Sequence, residues 1–239
     1  MVTPYGSVAT SSPGGFLVRA ADVAIDGRGS PALGGARRPD AVQDQRAMAR
    51  LDLYWIPLGA GARVVRASGW LYEAAIAAVQ RRPRADIYHA ALVAELDGVR
   101  TTIEVAPTFD DRGCSERGVV GSGPVGVRFL GRFELFRYEI RCWPGGIIPD
   151  LAFAVASPVE LTNAPADIDA VVDIVARVPT PVWGRDELGA GEMWNSNSVV
   201  SWVLARCKLL DRAGSPPERG RAPGWRAGIV AADRGLERD

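Results

Sequence analysis

Apolar and polar residues begin to alternate in regular patterns only after Met48. LDLYWIPL (51–58) reads as a strand ending at the Gly59–Gly61 turn, and ARVVRAS (62–68) as a second short one. WLYEAAIAAVQRR (70–82) carries helix formers, has Ser68 near its N-cap and stops before Pro83. DIYHAALVAEL (86–96) and VRTTIEVA (99–106) flank Asp97-Gly98, a strong two-residue hairpin signal. Residues 108–126 read as a Gly-rich loop. FELFRYEIRCW (133–143) alternates, with Phe136, Tyr138, Ile140 and Cys142 on one face and Arg137, Glu139 and Arg141 on the other, the pattern of a half-buried strand.

Two helices follow. PADIDAVVDIVARVP (165–179) places Ile168, Val171, Val172 and Val175 at helical spacing behind Pro165. MWNSNSVVSWVLARCKLLDRAG (193–214) is a long apolar helix ended by Gly214 and Pro216-Pro217, with Ser196, Val200, Val203, Cys207 and Leu210 on one core-facing stripe. PPERGRAPGW (216–225) reads as an irregular strap. Strands and helices mix without a βαβ repeat, so the class is α+β, an antiparallel sheet packed against helices. Residues 1–48, rich in Gly, Pro, Ala and Arg, read as a disordered tail or an early start codon. The domain is expected over 49–233, with 234–239 a second tail.

Composition narrows the chemistry. The 239 residues hold one His, three scattered Cys and no CxxC, so a metal centre, a zinc ribbon and a disulfide scaffold are all excluded as expectations. Lys208 is the only lysine among 28 basic residues, a codon bias of a GC-rich genome. Acidic residues also number 28, and zero net charge argues against nucleic acid as partner. No apolar run approaches the roughly 20 residues of a membrane span. The first residues lack the pattern of a signal peptide. The expected location is cytoplasmic.

The lone histidine sits in the hairpin. With a two-residue loop, Leu96 faces Val99, Ala91 faces Glu104 and His89 faces Ala106. Glu104 is then the diagonal, same-face neighbour of His89, placed to orient the imidazole. Ser196 sits at the N-terminus of the last helix, where free backbone N–H groups and the dipole favour a developing oxyanion. Trp194 and Tyr88 flank these positions as pocket candidates. Cys207 and Cys142 read as packing residues. Cys114, beside Asp110 and Asp111, is a candidate exposed thiol. Gly121–Gly126 lacks the lysine and following helix of a phosphate loop.

The order of a Tyr88-His89 strand, then an acid, then a late helix opened by Asn195-Ser196-Asn197-Ser198 resembles the circularly permuted papain-like proteins: the permuted NlpC/P60 group with its lecithin:retinol-acyltransferase-like and PPPDE relatives. In that group the helix bears Cys where this chain has Ser196. Val199 stands where an aromatic is common. The resemblance implies a papain-like fold and hydrolysis or acyl transfer at an amide, thioester or ester of a small-molecule, acyl or peptide substrate, without cofactor or metal. Ser196 would attack, His89 would serve as base and then acid, and Glu104 would orient it. The Ser196 N–H, with Asn195 or Asn197, would hold the oxyanion. Ser196 is a true nucleophile, a decayed Cys or an engineered change. The alternative is an inactive papain-like domain that binds or regulates. The oligomeric state is not legible in the sequence.

Overall fold

The computed structural model describes residues 49–58, 81, 85–108, 118–148, 150–217 and 220–238. Backbone contacts divide the chain into residues 1–43 and 44–239, and every described residue lies in the second unit. The expected tail over 1–48, the strand over 62–68, the helix over 70–82 except Arg81, and Cys114 with its acidic loop lie outside the described residues.

Six strands form one antiparallel sheet: β1 (Arg50–Pro57), β2 (Asp86–Leu96), β3 (Val99–Pro107), β4 (Val119–Pro124), β5 (Arg137–Pro144) and β6 (Val159–Thr162), in the order β4-β5-β3-β2-β1-β6. A two-residue strand, β7 (Gly220–Arg221), runs parallel to the start of β2. The helices are α1 (Pro165–Ile174), α2 (Ser196–Arg206) and α3 (Trp225–Asp233). The class is α+β. Among the described residues, no helix is long and apolar enough to cross a membrane.

Strand alternation sorts the side chains onto two faces. Leu51, Leu53 and Trp55 of β1, Tyr88, Ala90, Leu92 and Ala94 of β2, Ile103 of β3, and Tyr138 and Ile140 of β5 join the helices in the main core. The opposite face carries Ile56, Ala91 and Val93, which pack with Ile148 into a smaller core. The segment between β5 and β6 covers that face through Ile148, Leu151 and Ala154.

The Asp97-Gly98 loop has the expected length. Leu96 pairs with Val99, and both loop residues take positive φ, 53° and 79°. Elsewhere tertiary structure overrides local pattern. The expected strand over 133–143 begins only at Arg137, because residues 128–132 and 134–136 form short 3-10 turns. The expected loop over 108–126 contains β4. Its glycines fit a strand laid tightly on β5, since a Cβ at Gly123 would strike the Tyr138 ring.

The last long helix is shorter than expected. Asn195 caps it, and it ends at Arg206, ahead of a 3-10 turn over 210–212. It is also buried on every side from Ser196 to Leu204, so it is a central helix rather than one with a single core-facing stripe. The strap contains β7 and leads into α3, whose N-cap Gly224 takes φ 89°. The expected tail over 234–239 is instead tied down as far as Arg238: the Trp202 indole N–H donates to Leu236 O (3.0 Å) and Arg238 N–H to Arg177 O (2.8 Å).

Candidate functional site

The site begins with one edge of β2. Its backbone groups at Leu92–Leu96 are satisfied by β3, and the ladder ends at the Leu92–Ile103 pair. Further back, Asp86 and Ile87 pair with β7. The gap between is filled by a side chain. Asn197 accepts from Ala90 N–H (2.7 Å) through Oδ1 and donates to Tyr88 O (3.0 Å) through Nδ2. One amide thus replaces a strand residue and satisfies a buried donor and a buried acceptor. The two peptide groups it holds flank His89.

The rest of WNSNS is also engaged. Asn195 Oδ1 accepts from Asn197 N–H (2.9 Å), and Ser198 Oγ accepts from Asn195 N–H (3.0 Å), closing a capping box. Asn195 and Asn197 both donate to Pro223 O (2.8 Å each), and Ser198 Oγ donates to Gly224 O (2.7 Å). Glu192 completes the joint from the other side, its Oε2 accepting from Gly224 N–H (2.9 Å) and Arg226 N–H (3.0 Å) at the start of α3. Ser196 is the first residue of α2 and is buried. Its hydroxyl makes no hydrogen bond among the described residues.

Trp194 is fully buried in the main core, bridged to Trp183, and Tyr88 packs in the same core. Cys142 and Cys207 are half-buried beside it. Burial raises the thiol of Cys142, and it pushes Cys207 up to about 11, settings of packing residues rather than reactive thiols.

His89 pairs with Ile56 across β1, so its side chain belongs to the face of Ile56, Ala91 and Val93, opposite the main core under α2. No hydrogen bond joins His89 to Ser196 among the described residues. The ring keeps some contact with solvent, but the atoms packed around it disfavour the imidazolium. That burial lowers its pKa to about 4, with the carboxylate of Asp150 pulling the other way.

Glu104 lies on the same face as His89 by parity, since Ile103 points into the main core. Glu104 stands across from Arg141 on β5, with 3.7 Å between the charged groups, and Arg141 also binds Glu139 at 2.9 Å. The β2–β3 ladder ends at the Leu92–Ile103 pair, before it reaches either Glu104 or His89. Among the described residues, the charge of the Asp150 carboxylate favours the imidazolium of His89. Neither Asp150 nor the clamp role of Asn197 had a signal in the sequence: a lone Asp after Pro149 and an Asn in a cap-like run both read as ordinary turn chemistry.

The depressed pKa makes a prediction with a definite sign. Folding favours neutral His89, so its contribution is full above the unfolded value of about 6.5. It is lost as pH falls from there to about 4, by roughly 2 kcal/mol for a ring that keeps some solvent. Because the chain has one histidine, its imidazole gives a single NMR titration curve. The midpoint is expected near 4, and the acid-side loss of stability is expected to shrink in His89→Gln. A midpoint at or above 6.5 refutes the burial.

Comparison with protein-family models, with curated proteins and with solved structures finds no match for the chain.

Proposed function

We propose that this domain is a permuted papain-like module that binds or regulates rather than catalyses. The observation that carries this reading is the use made of the WNSNS segment. Asn195, Asn197 and Ser198 are bound to β2 and to the 223–224 backbone, while Ser196 and His89 share no hydrogen bond. A serine, unlike a cysteine, does not ionise ahead of attack. It needs a base within hydrogen-bond reach to take its proton. An imidazole whose burial lowers its pKa to about 4 is a weak base for that task.

One observation favours a second reading, hydrolysis or acyl transfer. Asn197 grips both peptide groups around His89, which holds the start of α2 beside that residue. In this reading Ser196 attacks a carbonyl and His89, re-aimed on substrate binding, takes and then returns the proton. The N–H groups of the first turn of α2 hold the oxyanion, and a carboxylate, Glu104 or Asp150, orients the ring. A fluorophosphonate probe separates the two. The binding module is expected to leave folded wild-type protein unlabelled. Labelling that disappears in both Ser196→Ala and His89→Ala establishes the hydrolase and overturns the binding reading.

A further inference from the structure

The turn between β4 and β5 breaks the usual rule for loops. Across Val127–Phe136 it exposes Phe129 (62 %), Leu135 (61 %), Phe133 (48 %), Val127 and Phe136, on two consecutive 3-10 turns and the residues that cap them. Scattered exposed apolar residues are ordinary, whereas a contiguous cluster of this kind marks an interaction surface.

The segment is held in place. Leu130 N–H donates to Val127 O, Phe133 N–H to Leu130 O and Phe136 N–H to Phe133 O, at 2.9–3.1 Å. The Arg137 guanidinium reaches back to Gly131 O (2.8 Å) and to Ser122 Oγ (2.9 Å). A surface fixed before contact loses little conformational entropy when it binds.

Its charges are arranged in a way that selects the partner. Arg128 already donates through Nη2 to both carboxylate oxygens of Glu187, and Arg137 is bound as above. Two charges remain within the apolar cluster. Arg132 lies over the rings of Phe129 and Phe133, at 5.7 and 4.7 Å, and has no carboxylate partner among the described residues. Glu134, two residues on, has no basic partner there either. One cation and one anion in an apolar field form a self-complementary pattern: a two-fold axis sets Arg132 of one copy against Glu134 of the other. The five apolar residues offer on the order of 400 Å² per copy, given about 150–250 Å² for an aromatic side chain. With its rim, the paired surface reaches roughly the 1,000 Å² total that a specific interface needs.

We propose that this aromatic turn is a homodimer interface, with a second copy of the chain as its partner. Sedimentation velocity on the full chain, from micromolar to submillimolar concentration, tests it. A concentration-dependent dimer is expected. Phe129→Ser with Leu135→Ser is expected to give monomer throughout, with unchanged circular dichroism. Arg132→Glu and Glu134→Arg are each expected to weaken the dimer about tenfold, and their combination to restore it. Both charges are exposed, so these variants serve even if the apolar pair fails to fold. A wild-type monomer at every concentration overturns the proposal. So does a dimer indifferent to the apolar pair, or a charge swap without rescue. Binding of a wild-type monomer to phosphatidylglycerol–phosphatidylcholine vesicles also overturns it and assigns the turn to a membrane surface.

Discussion

Asn197→Ala is expected to destabilise the domain by about 3 kcal/mol, out of the roughly 5–15 kcal/mol typical of a domain. The mutation strands Ala90 N–H and Tyr88 O in the core, because the β2–β3 ladder has already ended and β7 starts too far along the edge. Each unsatisfied buried group costs about 1–3 kcal/mol. Pro223 O keeps its bond from Asn195, so it adds little. One water entering the space of the lost amide offsets part of the loss. Asn197→Asp sharpens the test. Its carboxylate still accepts from Ala90 N–H, but now faces the carbonyl oxygens of Tyr88 and Pro223 without a proton to donate. At neutral pH it is expected to be worse than alanine, and to recover as acid protonates it. Urea unfolding followed by tryptophan fluorescence reads both. An alanine variant within about 1 kcal/mol of wild type removes the clamp from the account.

The clamp also shows why some of this protein is legible in its sequence and some is not. The hairpin was legible because Asp97-Gly98 fixes a local turn and alternation fixes the faces. The parity that puts His89 and Glu104 on one face follows from that register. What the register could not supply is where the pairing stops. The β2–β3 ladder ends at Ile103, a long-range fact, and beyond it Glu104 stands across from Arg141 of β5.

The helix start tells a similar story. Asn195 read as a cap and is one, because capping is decided within four residues. Asn197 looks the same on paper, yet its partners lie 107 and 109 residues away in the chain. Strand β4 was masked by glycines that read as loop but serve close approach to Tyr138. The aromatic turn after it carried strand-like alternation that no neighbouring strand completes, so its phenylalanines remain on the surface.

Gly228→Ala is expected to be at least as costly as loss of the clamp, and with the opposite sign from helix propensity. In an isolated helix, alanine in place of glycine stabilises by up to about 1 kcal/mol. Here α3 packs directly on α2. A Cβ at Gly228 would land on the Ser198 carbonyl oxygen and on Ser201 Oγ. The hydroxyl can rotate; the backbone carbonyl cannot, since it belongs to the first turn of a helix buried on all sides. Helix α3 must therefore move outward. That loosens Ala227 and Ala231 in the core, the contact of the Trp225 ring with Trp55 (5.1 Å between centroids) and the bond from Ser201 Oγ to Trp225 O (2.7 Å). Overpacking of this kind costs about 1–3 kcal/mol, and more where backbone is struck, so a net loss of about 3 kcal/mol is expected. A double-mutant cycle with Ser201→Ala isolates the cause. Removing the hydroxyl is expected to recover part of the loss but not all of it, because the Ser198 carbonyl remains. A stabilised Gly228→Ala means that α2 and α3 are not in backbone contact. Full recovery in the double variant places the whole clash on the hydroxyl.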